Sequence, residues 1–211
     1  ITGIKIPFLY TDVIDFSWWL DLPLTLLWVI GVTNALNLID GLDGLAAGIT
    51  AISATSLLII FISTSASLEA IIITAVLVGG VLGFLPYNFN PAKTFMGDVS
   101  SNFLGFTMAV VSILGFAKGY TMLAIIAPVL VLGIPIFDTV FAMVRRFLKG
   151  QPMLKPDGAH IHHRLIKMGL SQRQAVLLLY AITTVLCLIA VLIVSADVWK
   201  LILLILLLIC F

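Results

Sequence analysis

Charge is what this chain lacks. Of its 211 residues, 11 are Lys or Arg and 10 are Asp or Glu, a charged fraction of 10%, where a soluble domain carries roughly a quarter. That scarcity excludes a soluble globular domain, a disordered tail and a basic nucleic-acid-binding module, so no nucleic-acid partner is expected. Cysteine is nearly absent too. Cys187 and Cys210 both lie inside apolar runs without neighbours of metal-ligand type, which argues against a disulfide framework. There is no Asn-x-Ser/Thr sequon, no signal peptide and no initiating Met. The chain opens at Ile1 and stops at Phe211 within an apolar run, the pattern expected of a piece truncated at both ends of a longer protein.

What is present is apolar. The chain is 62% hydrophobic, with a mean hydropathy of +1.23. Seven apolar segments stand out, at 20–36, 45–63, 68–86, 99–117, 120–144, 174–194 and 198–211; most approach the roughly 20 residues that a helical span needs. The prediction is an all-α polytopic integral membrane protein in the lipid bilayer, with about seven transmembrane helices in a single domain, 1–211. The fifth segment carries Pro128, Gly133 and Pro135, so a kinked or broken helix is expected there. Gly44 with Gly48, and Gly79 with Gly83, suit close helix packing. Before the first span, Ile4, Ile6, Phe8 and Tyr10 alternate with other residues, which suggests a short extended or hairpin segment on the membrane face. Trp18 and Trp19 mark the interface.

Alternate connections share a side of the membrane. One side collects Lys93, Arg145, Arg146, Lys149, Lys155, Arg164, Lys167 and Arg173; the other has Lys5, Lys118 and Lys200. This bias assigns the first side to the cytoplasm, and the three loops richest in polar residues face it together.

The first loop holds Asn34, Asn37, Asp40 and Asp43, spaced by three, with each Asp followed by Gly. An acid at membrane depth is expensive and calls for a function or a partner; Asp43 is also placed to cap the following helix. The second loop holds Asn88, Lys93, Phe95 and Asp98. Asp98 opens the next span, where a carboxylate either caps the helix or holds Mg²⁺ against a phosphate. Asn88 and Phe95 offer a hydrogen bond and a stacking face to a nucleoside. The third loop holds the three histidines of the chain, His160, His162 and His163, followed by Arg164. Without Cys, and without the spacing of a zinc motif, they fit anion handling better than zinc. Carboxylates for a divalent cation, basic groups for phosphate and a membrane floor together suit phosphoryl chemistry on a lipid-linked substrate. A transporter is the competing class, because intramembrane acids such as Asp138 and a Pro-broken helix also suit ion pathways.

The strings Asn34-x-x-Asn37-x-x-Asp40-Gly41-x-Asp43-Gly44-Leu45-Ala46, Asn90-Pro91-Ala92-Lys93-Thr94-Phe95-Met96-Gly97-Asp98 and His160-x-His162-His163-Arg164 resemble, in order, the polyprenyl-phosphate N-acetylhexosamine-1-phosphate transferases. The resemblance implies transfer of a sugar 1-phosphate from a UDP-N-acetylhexosamine to undecaprenyl phosphate, with release of UMP, at the cytoplasmic face of a bacterial plasma membrane. It implies Mg²⁺, or Mn²⁺ in its place, at Asp98 with Asn37 as a second ligand. It implies catalytic roles for Asp40, Asp43, Asp98, His160, His162 and His163, and substrate-binding roles for Asn34, Asn37, Asn88, Phe95, Lys93 and Arg164. A homodimer is compatible with it. The His-x-His-His form is similar to the GlcNAc-1-phosphate group, which begins teichoic acid, O-antigen or other envelope polysaccharide synthesis. The alternative is the phospho-MurNAc-pentapeptide transferase, whose three histidines are consecutive. The family's Asp-Asp pair is missing and is expected upstream of Ile1.

Overall fold

The computed structural model describes residues 3–4, 14–15, 18–116, 123–150 and 160–195. Among the described residues, eight helices follow a two-residue antiparallel pair, β1 (Gly3–Ile4) with β2 (Ile14–Asp15); Ile6, Phe8 and Tyr10 of the expected extended segment lie outside the described residues. The helices are α1 (Trp18–Ile39), α2 (Leu45–Ser63), α3 (Leu68–Asn88), α4 (Gly97–Phe116), α5 (Leu123–Val131), α6 (Gly133–Leu148), α7 (Ile161–Lys167) and α8 (Gln172–Ser195). Five of them, α1, α2, α3, α4 and α8, are long and apolar enough to cross a membrane. This is a multi-pass membrane protein. The seventh predicted span, 198–211, lies outside the described residues.

The fifth apolar segment is two helices, broken at Leu132. Pro135 has no N–H to return to the Val131 carbonyl four residues earlier. In an apolar interior that freed oxygen needs a donor, and Ser53 Oγ supplies one at 2.6 Å, with Cys187 Sγ at 3.9 Å. The break is thus stabilised by polar side chains of two other helices.

α2 is the central helix: 67% of its membrane-length window is buried, against 22% for α1 and for α3. It packs on α3 and α8, while α1 packs on α4 and α6. Two glycine contacts set the depth of this packing. A Cβ on Gly48 would lie 1.9 Å from the Tyr180 ring, so the α2–α8 approach requires glycine. A Cβ on Gly105 would lie 2.7 Å from Thr33 Cα, so α1 and α4 touch backbone to backbone. Gly79 and Gly83 behave otherwise: nothing lies within 4 Å of the Cβ each would carry. The close packing expected of that pair is not made within the described residues, because α3 turns this face away from α2 and α4.

Candidate functional site

The Thr33–Gly105 contact positions the first half of the site. α1 runs on to Ile39, so Asn34 and Asn37 are helical, with Asn34 exposed. One turn beyond Thr33 on α1, and one turn back from Gly105 on α4, Asn37 meets the start of α4. Its Nδ2 donates to Ser101 Oγ at 2.9 Å and to Asp98 Oδ1 at 3.4 Å. Two residues 61 positions apart, both singled out from sequence, are adjacent. Asp40 follows at the end of α1. Burial and, second, the nearby Asp98 carboxylate push its pKa up to about 6 from an ordinary 3.8.

Asp43 does a different job from the helix cap that its position suggested. The cap residue of α2 is Gly44, at φ +81°, and no side chain caps the helix; glycine suits that left-handed turn. Asp43 reaches instead into the second loop. Its Oδ2 accepts from Asn90 Nδ2 at 3.0 Å and from the Ala92 N–H at 3.2 Å. The second loop returns the tie: Asn88 Oδ1 accepts from the Gly44 N–H at 3.2 Å, and Asn88 Nδ2 donates to the Thr94 carbonyl at 2.9 Å. Asn88 is buried, and both ends of its amide are engaged within the protein. Lys93 and Phe95 stand exposed on the same loop, Phe95 at 76%.

α8 clamps this assembly. Gln172 Oε1 accepts from Asn90 Nδ2 at 2.9 Å, Arg173 Nε donates to the Asn90 carbonyl at 3.0 Å, and the Tyr180 hydroxyl donates to the Gly44 carbonyl. Arg173 counts among the charges that set topology, and here it also ties α8 to the second loop. Asn90 opens the second motif string without being assigned a role there, and nothing in the local sequence of Gln172, Tyr180 and Ser101 marks them as site residues.

The histidine motif opens α7 and folds onto the first loop. His160 Nδ1 lies 2.9 Å from Asp138 Oδ2, and the Ile161 N–H donates to Asp138 Oδ1 at 2.8 Å. Asp138, on α6, thus has a partner that its place in an apolar run called for, and the observation that favoured an ion pathway has a local explanation. His162 is 1% exposed, and neither ring nitrogen has a hydrogen-bond partner among the described residues. Its ring lies against Gly41: a Cβ there would be 2.2 Å from His162 Nε2. Burial and, second, His163 push its pKa down to about 4; Asp138 pulls it up, and His160 adds a smaller downward push. His162 is therefore neutral at physiological pH. His163 and Arg164 are exposed. His160 stacks parallel to His162, with centroids 6.0 Å apart, and His163 is tilted at 4.2 Å from His162.

All three loops therefore converge at one end of the bundle. The model of glycosyl transferase family 4 matches residues 1–116, more than half of the chain. The chain belongs to glycosyl transferase family 4. Within reach of this family are a probable undecaprenyl-phosphate N-acetylglucosaminyl 1-phosphate transferase of Bacillus subtilis, 45% identical over 94% of this chain and 56% of its own length. A decaprenyl-phosphate N-acetylglucosaminephosphotransferase of Mycolicibacterium smegmatis is 37% identical over 74% of this chain and 43% of its own. A phospho-N-acetylmuramoyl-pentapeptide-transferase of Halalkalibacterium halodurans is 38% identical over 88% and 54%. The chain spans about half the length of the curated relatives it matches.

In this family-4 chain, no group of three or more His, Cys, Asp or Glu side chains among the described residues is placed to hold a metal. A dedicated all-protein cage is therefore not present there. The donor set does fit Mg²⁺, which keeps several waters and takes one or two carboxylates plus substrate phosphate. Asp98 is exposed and Asn37 adjacent, and the second acid close by, Asp40, repels Asp98 when both are ionised.

Proposed function

We propose that this protein transfers N-acetylglucosamine 1-phosphate from UDP-N-acetylglucosamine to undecaprenyl phosphate at the cytoplasmic face of the bacterial plasma membrane, releasing UMP. The observation that carries the reading is the convergence of the acidic pair Asp40 and Asp98, the amide of Asn37 and the histidine motif at one end of an apolar bundle. A soluble anionic donor reaches such a site from water, and an apolar acceptor reaches it from lipid.

Asp98, with Asn37 through its carbonyl oxygen, would hold Mg²⁺. Bound there, the ion would neutralise charge on the diphosphate and on the departing UMP. Phe95 offers its exposed ring to the uracil, and Lys93 and Arg164 offer cations to phosphate. His160 and His163 face the remaining oxygens, where preorganised donors stabilise developing charge, and the buried His162 seats the motif against Gly41. Asn88 and Asp43 act by holding the two loops in register rather than by touching substrate. The attacking phosphate oxygen is already ionised at neutral pH, so no strong base is required. Ile161 between the histidines and the identity to the N-acetylglucosaminyl relative favour this donor over a muramoyl pentapeptide.

In the full-length protein, Asp98→Asn should lower transfer of labelled N-acetylglucosamine phosphate to polyprenyl phosphate by orders of magnitude. Near-normal transfer would overturn the metal assignment. UMP release from UDP-N-acetylmuramoyl-pentapeptide, but not from UDP-N-acetylglucosamine, would overturn the donor.

A further inference from the structure

We propose that Asp138 is the positioning residue of the histidine motif, fixing the His160 ring with its proton on Nδ1 so that Nε2 is the nitrogen presented to substrate. For its functional consequence this rests on the phosphoryl-transfer reading above.

The geometry of one carboxylate carries the inference. His160 is buried and Asp138 is largely so, with side chains 8% and 9% exposed. Asp138 Oδ1 is taken by the Ile161 N–H at 2.8 Å, and Oδ2 lies 2.9 Å from His160 Nδ1. A backbone N–H can only donate. A carboxylate can only accept, so the His160 nitrogen that faces it carries a proton. Nε2 is then the remaining ring nitrogen: bare in the neutral ring, and a donor in the imidazolium that an adjacent carboxylate stabilises. A hydrogen bond to one ring nitrogen settles what the other can do. The same two bonds also hold the first residue of α7, and with it His162 against Gly41. One acid on the broken helix therefore sets both the tautomer of the first histidine and the seat of the second.

Asparagine has the same shape with one acceptor fewer, which makes Asp138→Asn the informative variant. Its oxygen is claimed by the Ile161 N–H, so its amide N–H₂ must face His160 Nδ1. That nitrogen then has to be bare, and the proton moves to Nε2. The full-length protein, labelled with ¹⁵N-histidine in lipid nanodiscs and assigned with His160→Gln, reports this directly. The expected result is a protonated Nδ1 in the wild type and an unprotonated Nδ1 in Asp138→Asn. In parallel, kcat for UMP release from UDP-N-acetylglucosamine should fall by at least about 10-fold, the low end for losing an orienting partner, with KM for the donor held. Asp138→Glu, which keeps a carboxylate, should keep Nδ1 protonated and recover part of kcat. An unprotonated Nδ1 in the wild type would overturn the inference. So would wild-type turnover in Asp138→Asn. Should Asp138→Asn fail to fold, the glutamate variant decides, and an unprotonated Nδ1 there overturns the inference. Absence of UMP release by the wild type would instead sink the proposed function and leave the ¹⁵N result to judge Asp138.

Discussion

Gly41→Ala is the smallest change that should disable the site. The added methyl would sit 2.2 Å from His162 Nε2, 2.8 Å from Cε1 and 3.0 Å from Cδ2. Ordinary contact begins near 3.4 Å, so the ring must retreat by about 1.2 Å. It has little room to do so, being 1% exposed and flanked by the rings of His160 and His163. Overpacking of this kind costs about 1–3 kcal/mol, and a 1 Å misplacement of a positioning group costs on the order of 10²-fold in rate. Thermal unfolding of the full-length protein and UMP release from UDP-N-acetylglucosamine would be measured for the wild type, Gly41→Ala, His162→Ala and the double variant. In the His162→Ala background the three atoms nearest the methyl are gone, so the stability penalty of Gly41→Ala should shrink markedly there. The same penalty in both backgrounds, or turnover of Gly41→Ala within about twofold of wild type against the 10²-fold expected, would refute the reasoning.

Ser53→Ala should destabilise the bundle by about 1 kcal/mol, the scale of hydrogen bonds between membrane helices, because the Val131 carbonyl at the helix break loses its 2.6 Å donor; unfolding free energies in lipid would check it. Gly48→Ala should be far more damaging than Tyr180→Phe. The first drives a Cβ to 1.9 Å from the ring, whereas the second removes one donor from a Gly44 carbonyl that also accepts from the Gly48 N–H; expression and thermal stability would rank them. In metal-free protein the Asp40 carboxyl should titrate near 6 by ¹³C NMR, and in Asp98→Asn its midpoint should fall yet stay above 3.8, because burial is the larger cause. Since the folded value exceeds the unfolded one, Asp40 favours folding at low pH, and this contribution is lost as pH rises from about 4 to about 6.

Several parts of this architecture were legible in sequence because they depend on short-range chemistry. The helix break follows from Pro135 and from the carbonyl it orphans. Hydropathy and charge bias place the loops of Asn37 and Asp98 on one side of the membrane, and the family resemblance alone pairs the two residues. What depends on register between helices was not legible. The Thr33–Gly105 contact, which brings Asn37 to Ser101, is one of many ways in which two apolar helices might have met. Asp43 reads as a cap from its local sequence and is diverted because Asn90 and the Ala92 N–H, 47 and 49 residues away, compete for it. Asp138 did carry a signal, an acid in an apolar run, but its partner lies across a loop whose path hydropathy does not specify. The exposed glycines of α3 show the converse: a packing motif marks where a neighbour fits, without supplying one.

The clamp made by α8 has a consequence for the order in which the protein is made. Tyr180 reaches a first loop 136 residues earlier, and Gln172 and Arg173 reach a second loop 82 and 83 residues earlier. At about 5–20 residues per second, the ribosome has finished the first loop on the order of ten seconds before its hydroxyl partner exists. Throughout that interval the nascent chain has its acids in the membrane but not the helix that registers them. The register of the two loops is therefore completed only once α8 has been made.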